Sequence, residues 1–181
     1  MHAAVSTDLP TWARVSATRT AHIVRVTMLL DSWASAMRVG EDEAAEWRDA
    51  GRWHDALRDA PEAELRAIVR DDVMPAALLH GPASAARLAA DGERRADLLD
   101  AIAHHTVGHA RWARTGRALY MADYLEPGRL FARSERASLA DQAPRDFHGT
   151  FREVVRHRVK WAIREGFELH PQTVELWNTI R

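Results

Sequence analysis

Apolar residues recur every three or four positions along nearly the whole chain, and the strict alternation of a half-buried strand is absent. The pattern predicts a succession of amphipathic helices. The first, over about 11–37, carries Val15, His22, Val26, Leu29 and Trp33 on one stripe and is followed by Gly40, a residue suited to a helix C-terminus. A second, over about 42–58, places Trp47, Ala50, His54 and Leu57 on one face. Pro61 suits the first turn of a third, reaching about 72. A short turn leads to a fourth helix, opened by Pro82 and closed by Gly92, and a fifth spans about 93–105. After a loop around Gly108, a sixth runs over about 114–125 and is stopped by Pro127 and Gly128. A variable stretch follows. Phe147, Phe151, Val154, Val155, Val159, Ala162 and Ile163 then mark a long helix ending at Gly166, and Pro171 opens a last short one. The expected architecture is all-α: a compact single-domain bundle of about eight helices.

Several polar residues fall on the apolar faces. His22 is in register with Val26, Leu29 and Trp33, and His54 with Trp47, Ala50 and Leu57. His105 follows Leu98 and Ile102 at helical spacing, Asp123 follows Leu119 by four, and His80 lies just before the helix opened by Pro82. A lone inward histidine is ordinarily a core residue with one hydrogen bond, whereas an unpaired inward carboxylate is expensive to bury. Together with Asp55, beside His54, these residues make four histidines and two carboxylates from five separate segments. Six donors exceed what one closed tetrahedral site needs. They fit two adjacent ions, and imidazole with carboxylate suits iron, manganese, cobalt, nickel or zinc. Neighbours on a helix point about 100° apart, so His54 would hold one ion while Asp55 bridges both.

The order His22, His54-Asp55, His80, His105, Asp123 resembles the HD-domain superfamily of metal-dependent phosphohydrolases, which is all-helical. Within it the chain is similar to the YqeK family of symmetrical diadenosine tetraphosphate hydrolases. The motifs that carry this lie between residues 21 and 129: "MPAALL" at 74–79, "HGPASA" at 80–85, "HTVG" at 105–108 and, most specific, "YMADYLEPGR" at 120–129. The remainder, including a C-terminal helical extension over 144–181, matches by length and helical character. The resemblance implies one HD domain over 1–181, with a di-iron centre held by His22, His54, Asp55, His80, His105 and Asp123. It implies cleavage of diadenosine tetraphosphate to two ADP by hydroxide activated between the two metals. Arg58 stands where the family has lysine, Val107 where it has serine or threonine, and the link from Met74 to His80 is short. These departures bear on how the polyphosphate is held and leave every candidate ligand in place.

The rest of the chemistry follows from charge. Two divalent ions roughly 3.5–4 Å apart can supply a nucleophilic hydroxide and bind a phosphoryl oxygen, and arginine forks then suit the remaining phosphates. Arg58, near the His54-Asp55 pair, and Arg129, just past Pro127, are the candidates; with Asp55 they form the expected catalytic group. Glu126 is placed either to orient a ligand histidine or to form a salt bridge. His104 points about 100° away from His105, and the Thr-x-Gly that follows selects His105. His109, Arg111 and Arg117 read as surface residues, and His2, His148, His157 and His170 as exposed or capping ones. Trp112 is the tryptophan that lies off a helical face, with stacking on a base as the alternative to burial.

Composition narrows the classes. The formal net charge of −1 over 181 residues argues against a protein that grips nucleic acid by its phosphates. The absence of cysteine excludes disulfides, thiolate metal sites and thiol nucleophiles. No apolar run approaches the roughly 18 residues of a membrane span, and the N-terminal stretch lacks the basic-then-apolar order of a signal peptide, so a cytoplasmic location is expected. The expected partner is a small nucleotide substrate, with neither nucleic acid nor membrane; a homodimer is the assembly left open. Two other functions stay open: an HD-type phosphohydrolase or phosphodiesterase for another nucleotide, and a non-catalytic metal-binding regulatory domain.

Overall fold

The computed structural model describes residues 8–180. Among them there are nine α-helices and no strand: α1 (Ala17–Ala36), α2 (Glu41–Trp53), α3 (Glu62–Val69), α4 (His80–Ala90), α5 (Ala96–His104), α6 (Arg114–Leu125), α7 (Arg133–Gln142), α8 (Phe147–Arg164) and α9 (Pro171–Ile180), with a 3-10 turn at Ala76–Leu78. The all-α expectation holds.

The central element is α6. Nine of its twelve residues are buried, so it is apolar almost all round rather than along one stripe. It packs against α1, α2, α5, α7 and α8, while α1 lies on α2 and α4 on α5. Trp33, Trp47, Leu98, Ile102, Leu119 and Met121 belong to one continuous core around it.

Where boundaries differ from the sequence reading, hydrogen bonding gives the reason. The first helix begins at Ala17 rather than near 11, because Ser16 caps it by accepting the Arg19 amide at 3.3 Å. The residues before it pair elsewhere. The Arg14 amide donates to the Ala56 carbonyl (2.7 Å), the Asp59 amide to the Arg14 carbonyl (3.0 Å), and the Ser16 amide to the Asp59 carboxylate (2.7 Å). The same pairing ends α2 at Trp53 instead of near 58. Beyond it the chain tightens into i→i+3 turns, Ala56 amide to Trp53 carbonyl and Arg58 amide to Asp55 carbonyl. His54 and Asp55 therefore sit in a tight turn at the end of a helix, not within one. Helix α4 starts at His80, with Pro82 tolerated in its first turn. Helix α5 starts at Ala96 rather than 93, because the Glu93 carboxylate draws the amides of Arg94 and Arg95 into a local turn. Helix α3 stops at Val69, with Arg70 left-handed at φ +57°.

Helix α7 lies in the stretch to which the sequence pattern assigned no element, and it raises the expected eight helices to nine. Only Arg136 and Leu139 of this helix are buried. Arg136 is 2% exposed and donates to the carbonyls of Tyr124 (2.8 Å), Glu126 (2.7 Å), Arg129 (3.2 Å) and Phe131 (3.4 Å). Its guanidinium thus fixes the loop that follows α6.

A glycine sets the closest approach between the helices that carry the site. A Cβ on Gly81 would lie 2.8 Å from the Ile102 carbonyl, 3.0 Å from the Ala103 carbonyl and 3.2 Å from His105 Nδ1. Two of these are backbone atoms, which cannot swing aside. Gly81→Ala should force α4 from α5 and cost about 1–3 kcal/mol, read as a lower urea midpoint at unchanged m value. An unchanged midpoint would show that the two helices have slack.

Candidate metal centre

Five segments converge on one buried point. His22 comes from the second turn of α1, His54 and Asp55 from the turn after α2, His80 from the first residue of α4, His105 from the end of α5, and Asp123 from α6. All six residues expected as ligands are brought together, each no more than 8% exposed.

Asp55 is the hub. Its Oδ1 lies 3.2 Å from His80 Nε2 and 3.4 Å from His105 Nε2, and its Oδ2 lies 3.5 Å from His54 Nε2 and 3.7 Å from His22 Nε2. Asp123 Oδ1 lies 3.2 Å from His22 Nε2. Each imidazole is held from behind through its other nitrogen: Nδ1 of His54 by the Gly51 carbonyl (2.9 Å), of His80 by Ala77 (3.1 Å), of His105 by Ile102 (2.8 Å), and of His22 by Glu126 Oε1 (3.1 Å). These acceptors fix the proton on Nδ1 and leave the Nε2 lone pair facing inward, the arrangement of a metal-ligating histidine.

The donor set fits metal ions. Nε2 of His22 and of His54 is buried without a hydrogen-bond partner. Nε2 of His80 and of His105 stand 3.1 Å apart, and two lone pairs at that distance repel unless a cation lies near. Two overlapping sets of three have donor atoms within 4.8 Å of one another, His22-His54-Asp123 and His54-Asp55-His105, with His54 in both.

The electrostatics agree. Burial lowers the pKa of His54 to about 4, so it is neutral, with its lone pair available, at ordinary pH. Burial opposes ionisation of both aspartates, but the polar imidazole ring of His54 and those of His105 and His80 beside Asp55, and Arg129 with His22 and Arg158 beside Asp123, hold both well below the usual carboxylate range. Burial likewise opposes the charge of Glu126, yet its bonds to His22, Arg25 (2.5 Å) and the Gly128 amide (2.7 Å) bring it down to about 2.

Three arginines touch the carboxylates. Arg129 was expected; its Nη2 lies 2.7 Å from Asp123 Oδ1 and its Nε donates to the Asp123 carbonyl at 3.1 Å. Arg19 and Arg158 were missed. Arg19 Nη1 lies 2.6 Å from Asp55 Oδ2. Its signal was its place three residues before His22, on the same helix face. Arg158 approaches Asp123 Oδ2 at 3.5 Å, donates to the Thr106 carbonyl at 3.0 Å, and lies 4.0 Å over the Tyr120 ring. Its signal was a charge four residues after Val154, inside the apolar stripe of α8. Arg58 is half-buried and has no ion-pair partner among the described residues; burial lowers the proton affinity of His80, and His105 and the nearby charge of Arg58 lower it further.

Other expectations are corrected or located. Trp112 is 3% exposed and packs on Tyr120 with ring centroids 5.4 Å apart, so it is a core residue and has no free face for a base. His104 turns to Asp100, away from the centre. His148 is exposed, His157 half-buried, and His170 Nδ1 accepts the Gln172 amide at the start of α9. His2 lies outside the described residues.

Comparison with known proteins places this arrangement. No family model matches the chain. A crystal structure of a predicted HD superfamily hydrolase involved in NAD metabolism, from Clostridium acetobutylicum, superposes with a TM-score of 0.78 at 27% identity, covering 92% of this chain and 90% of that one. The chain shares the all-α fold of that HD superfamily hydrolase, a fold that implies divalent-metal binding, and its histidines and aspartates present the donors for it. Within that fold class its relatives are of the YqeK kind. Symmetrical bis(5'-nucleosyl)-tetraphosphatase of Bacillus subtilis is 26% identical over 139 residues, 72% of this chain and 74% of the relative. The protein of the same name from Halalkalibacterium halodurans is 24% identical over 139 residues, 72% and 73%. That of Staphylococcus aureus is 29% identical over 104 residues, 56% and 53%.

Glu126 is the sharpest test of how the centre is held. Glu126→Gln keeps an acceptor for His22 but removes the charge behind the ring. Metal affinity should fall roughly 10–100-fold at unchanged helix content, measured by competition with a chelator. Equal affinity would reduce Glu126 to a loop anchor.

Proposed function

We propose that this chain hydrolyses diadenosine tetraphosphate symmetrically, releasing two ADP, and that residues 1–181 act as one HD domain. The observation that carries the reading is the convergence of four Nε2 lone pairs on two buried carboxylates, in a chain whose relatives bear the name of that activity. His22, His54, Asp55, His80, His105 and Asp123 are the ligands of two divalent or mixed-valent ions. Iron is the ion of this reading; manganese, cobalt, nickel and zinc suit the same donors. Such ions supply Lewis acidity toward a phosphoryl oxygen and a nucleophile from water at neutral pH.

The remaining chemistry belongs to the chain. Asp55 turns one oxygen toward His80 and His105 and the other toward His54 and His22. Arg19 and Arg129 rest on Asp55 and Asp123; once metal charge shares those carboxylates, the guanidiniums can turn to substrate phosphates. Arg58, uncommitted to any carboxylate, adds a third cation near His80. Contacts made mainly to phosphate allow several bases at the ends of the substrate. The partner is thus a small dinucleoside polyphosphate. No described helix is long and apolar enough to cross a membrane, in keeping with the cytoplasmic location proposed. A homodimer is the proposed assembly, for sizing in solution to test.

Symmetrical cleavage has a definite product pattern. Chromatography of a short reaction should show two equivalents of ADP, with neither AMP nor ATP. Equal AMP and ATP would mean asymmetric attack and overturn the reading. Release of phosphate from AMP or dAMP with the tetraphosphate untouched would transfer the site to another nucleotide.

Arg129→Ala removes a charge-assisted phosphate contact worth about 1.5–3 kcal/mol. KM for the tetraphosphate should rise on the order of tenfold or more while elemental analysis finds the metal retained. Unchanged kinetics would leave Arg129 with Asp123 as its sole task.

A further inference from the structure

A second cluster of metal-type donors lies outside the HD centre. Asp100 and His104 are four residues apart on α5 and share a face. After His105 the chain turns through Gly108, at φ +86°, and brings His109 back beside them. The Asp100 carboxylate stands between the two rings: its Oδ1 is 3.1 Å from His104 Nδ1 and its Oδ2 is 3.1 Å from His109 Nδ1. The rings are stacked, with centroids 4.8 Å apart and planes 20° from parallel. The HD centre uses none of these three residues. His105, next in sequence, points its Nε2 the other way, into that centre.

We propose that Asp100, His104 and His109 form a separate site for one borderline divalent ion, Zn2+ above all. One donor atom from each residue lies within 4.8 Å of the other two, and each Nδ1 is 3.1 Å from an Asp100 oxygen, close to the roughly 3.4 Å between neighbouring ligands of a tetrahedral ion with bonds of about 2.0–2.2 Å, so small side-chain turns complete the site. Two imidazole nitrogens and one carboxylate oxygen suit zinc, cobalt, nickel or copper. A single carboxylate is a poor cage for calcium or magnesium, which call for several oxygens. The side chains are 35%, 25% and 16% exposed in the order Asp100, His104, His109. An ion can therefore enter without unfolding anything, and solvent can complete a tetrahedral shell.

Binding exchanges hydrogen bonds for coordination. Each Nδ1 now donates to Asp100, and His104 Nδ1 also to the Asp100 carbonyl at 3.1 Å. A neutral ring that moves its proton to Nε2 frees Nδ1 to ligate. The bound ion would tie the end of α5 across the turn at 105–108. Zinc thus becomes a clip on the segment that delivers His105.

The test is zinc uptake by the holoenzyme. Protein with its HD centre filled is dialysed against micromolar zinc, then zinc and the resident metal are counted per chain and a thermal melt recorded. One further zinc per chain with a raised Tm is expected. In His109→Ala and in Asp100→Asn that zinc should be missing, with the resident metal content and nucleotide hydrolysis unchanged. No extra zinc in the wild-type chain, or equal uptake by both variants, overturns the site. So does zinc that appears only in exchange for the resident metal. The outcome does not depend on which nucleotide the HD centre cleaves.

Discussion

Asp55 bears a negative charge that burial disfavours, and four imidazoles, three from other segments of the chain and one from its own turn, face it. The ends of the helices around α6 answer to that charge. Helix α2 stops where His54 and Asp55 need a turn, α4 begins on its histidine, and α5 ends just before His105, its C-cap. Each ring is steadied by an acceptor behind it, so the orientation of the donors is built into the backbone. Buried anions without cations would be intolerable. In this chain Arg19, Arg25, Arg129 and Arg158 stand against Asp55, Glu126 and Asp123, and part of that compensation is transferable to a bound metal.

Arginine has a second task. Arg136 and Arg158 direct their planar forks at main-chain carbonyls, Arg136 at Tyr124 near the end of α6 and at three in the loop after it, and Arg158 at those of Thr106 and Tyr120. Loop carbonyls beneath the surface need donors, and here they come from helices distant in sequence. This explains why α7 exists with so little apolar surface: its main contribution to the interior is a guanidinium.

The same facts show what the sequence could and could not reveal. Five of the six candidate ligands were legible because each sat on an apolar face or beside a residue that did, and an inward polar residue is conspicuous; His80 was legible from its place just before the helix opened by Pro82. Helix α6 was legible to the residue, bounded by the Gly108 loop and by Pro127-Gly128. The end of α2 was not, because Leu57 keeps helical spacing through a tight turn. Helix α7 was invisible to a search for apolar stripes. The pairings Arg19–Asp55 and Arg158–Asp123 join residues 36 and 35 apart, and only packing decides which charges meet. Trp112 was ambiguous because loop position says nothing of burial; Gly116, which a Cβ would drive to 2.3 Å from its ring, makes room for it.

Three consecutive residues after His105 are held by the last two helices. Arg158 takes the Thr106 carbonyl, Thr173 Oγ1 donates to the Val107 carbonyl at 2.7 Å, and Leu176 fills the space a side chain on Gly108 would need. The motif-bearing stretch that ends at Arg129 contains every candidate ligand and lacks these three supports. The functional unit is consequently longer than its signature. A gene fragment trimmed to the recognisable motifs would encode all the donors and none of the clamps on that turn, and drift in the C-terminal helices can retune His105 while every motif stays intact.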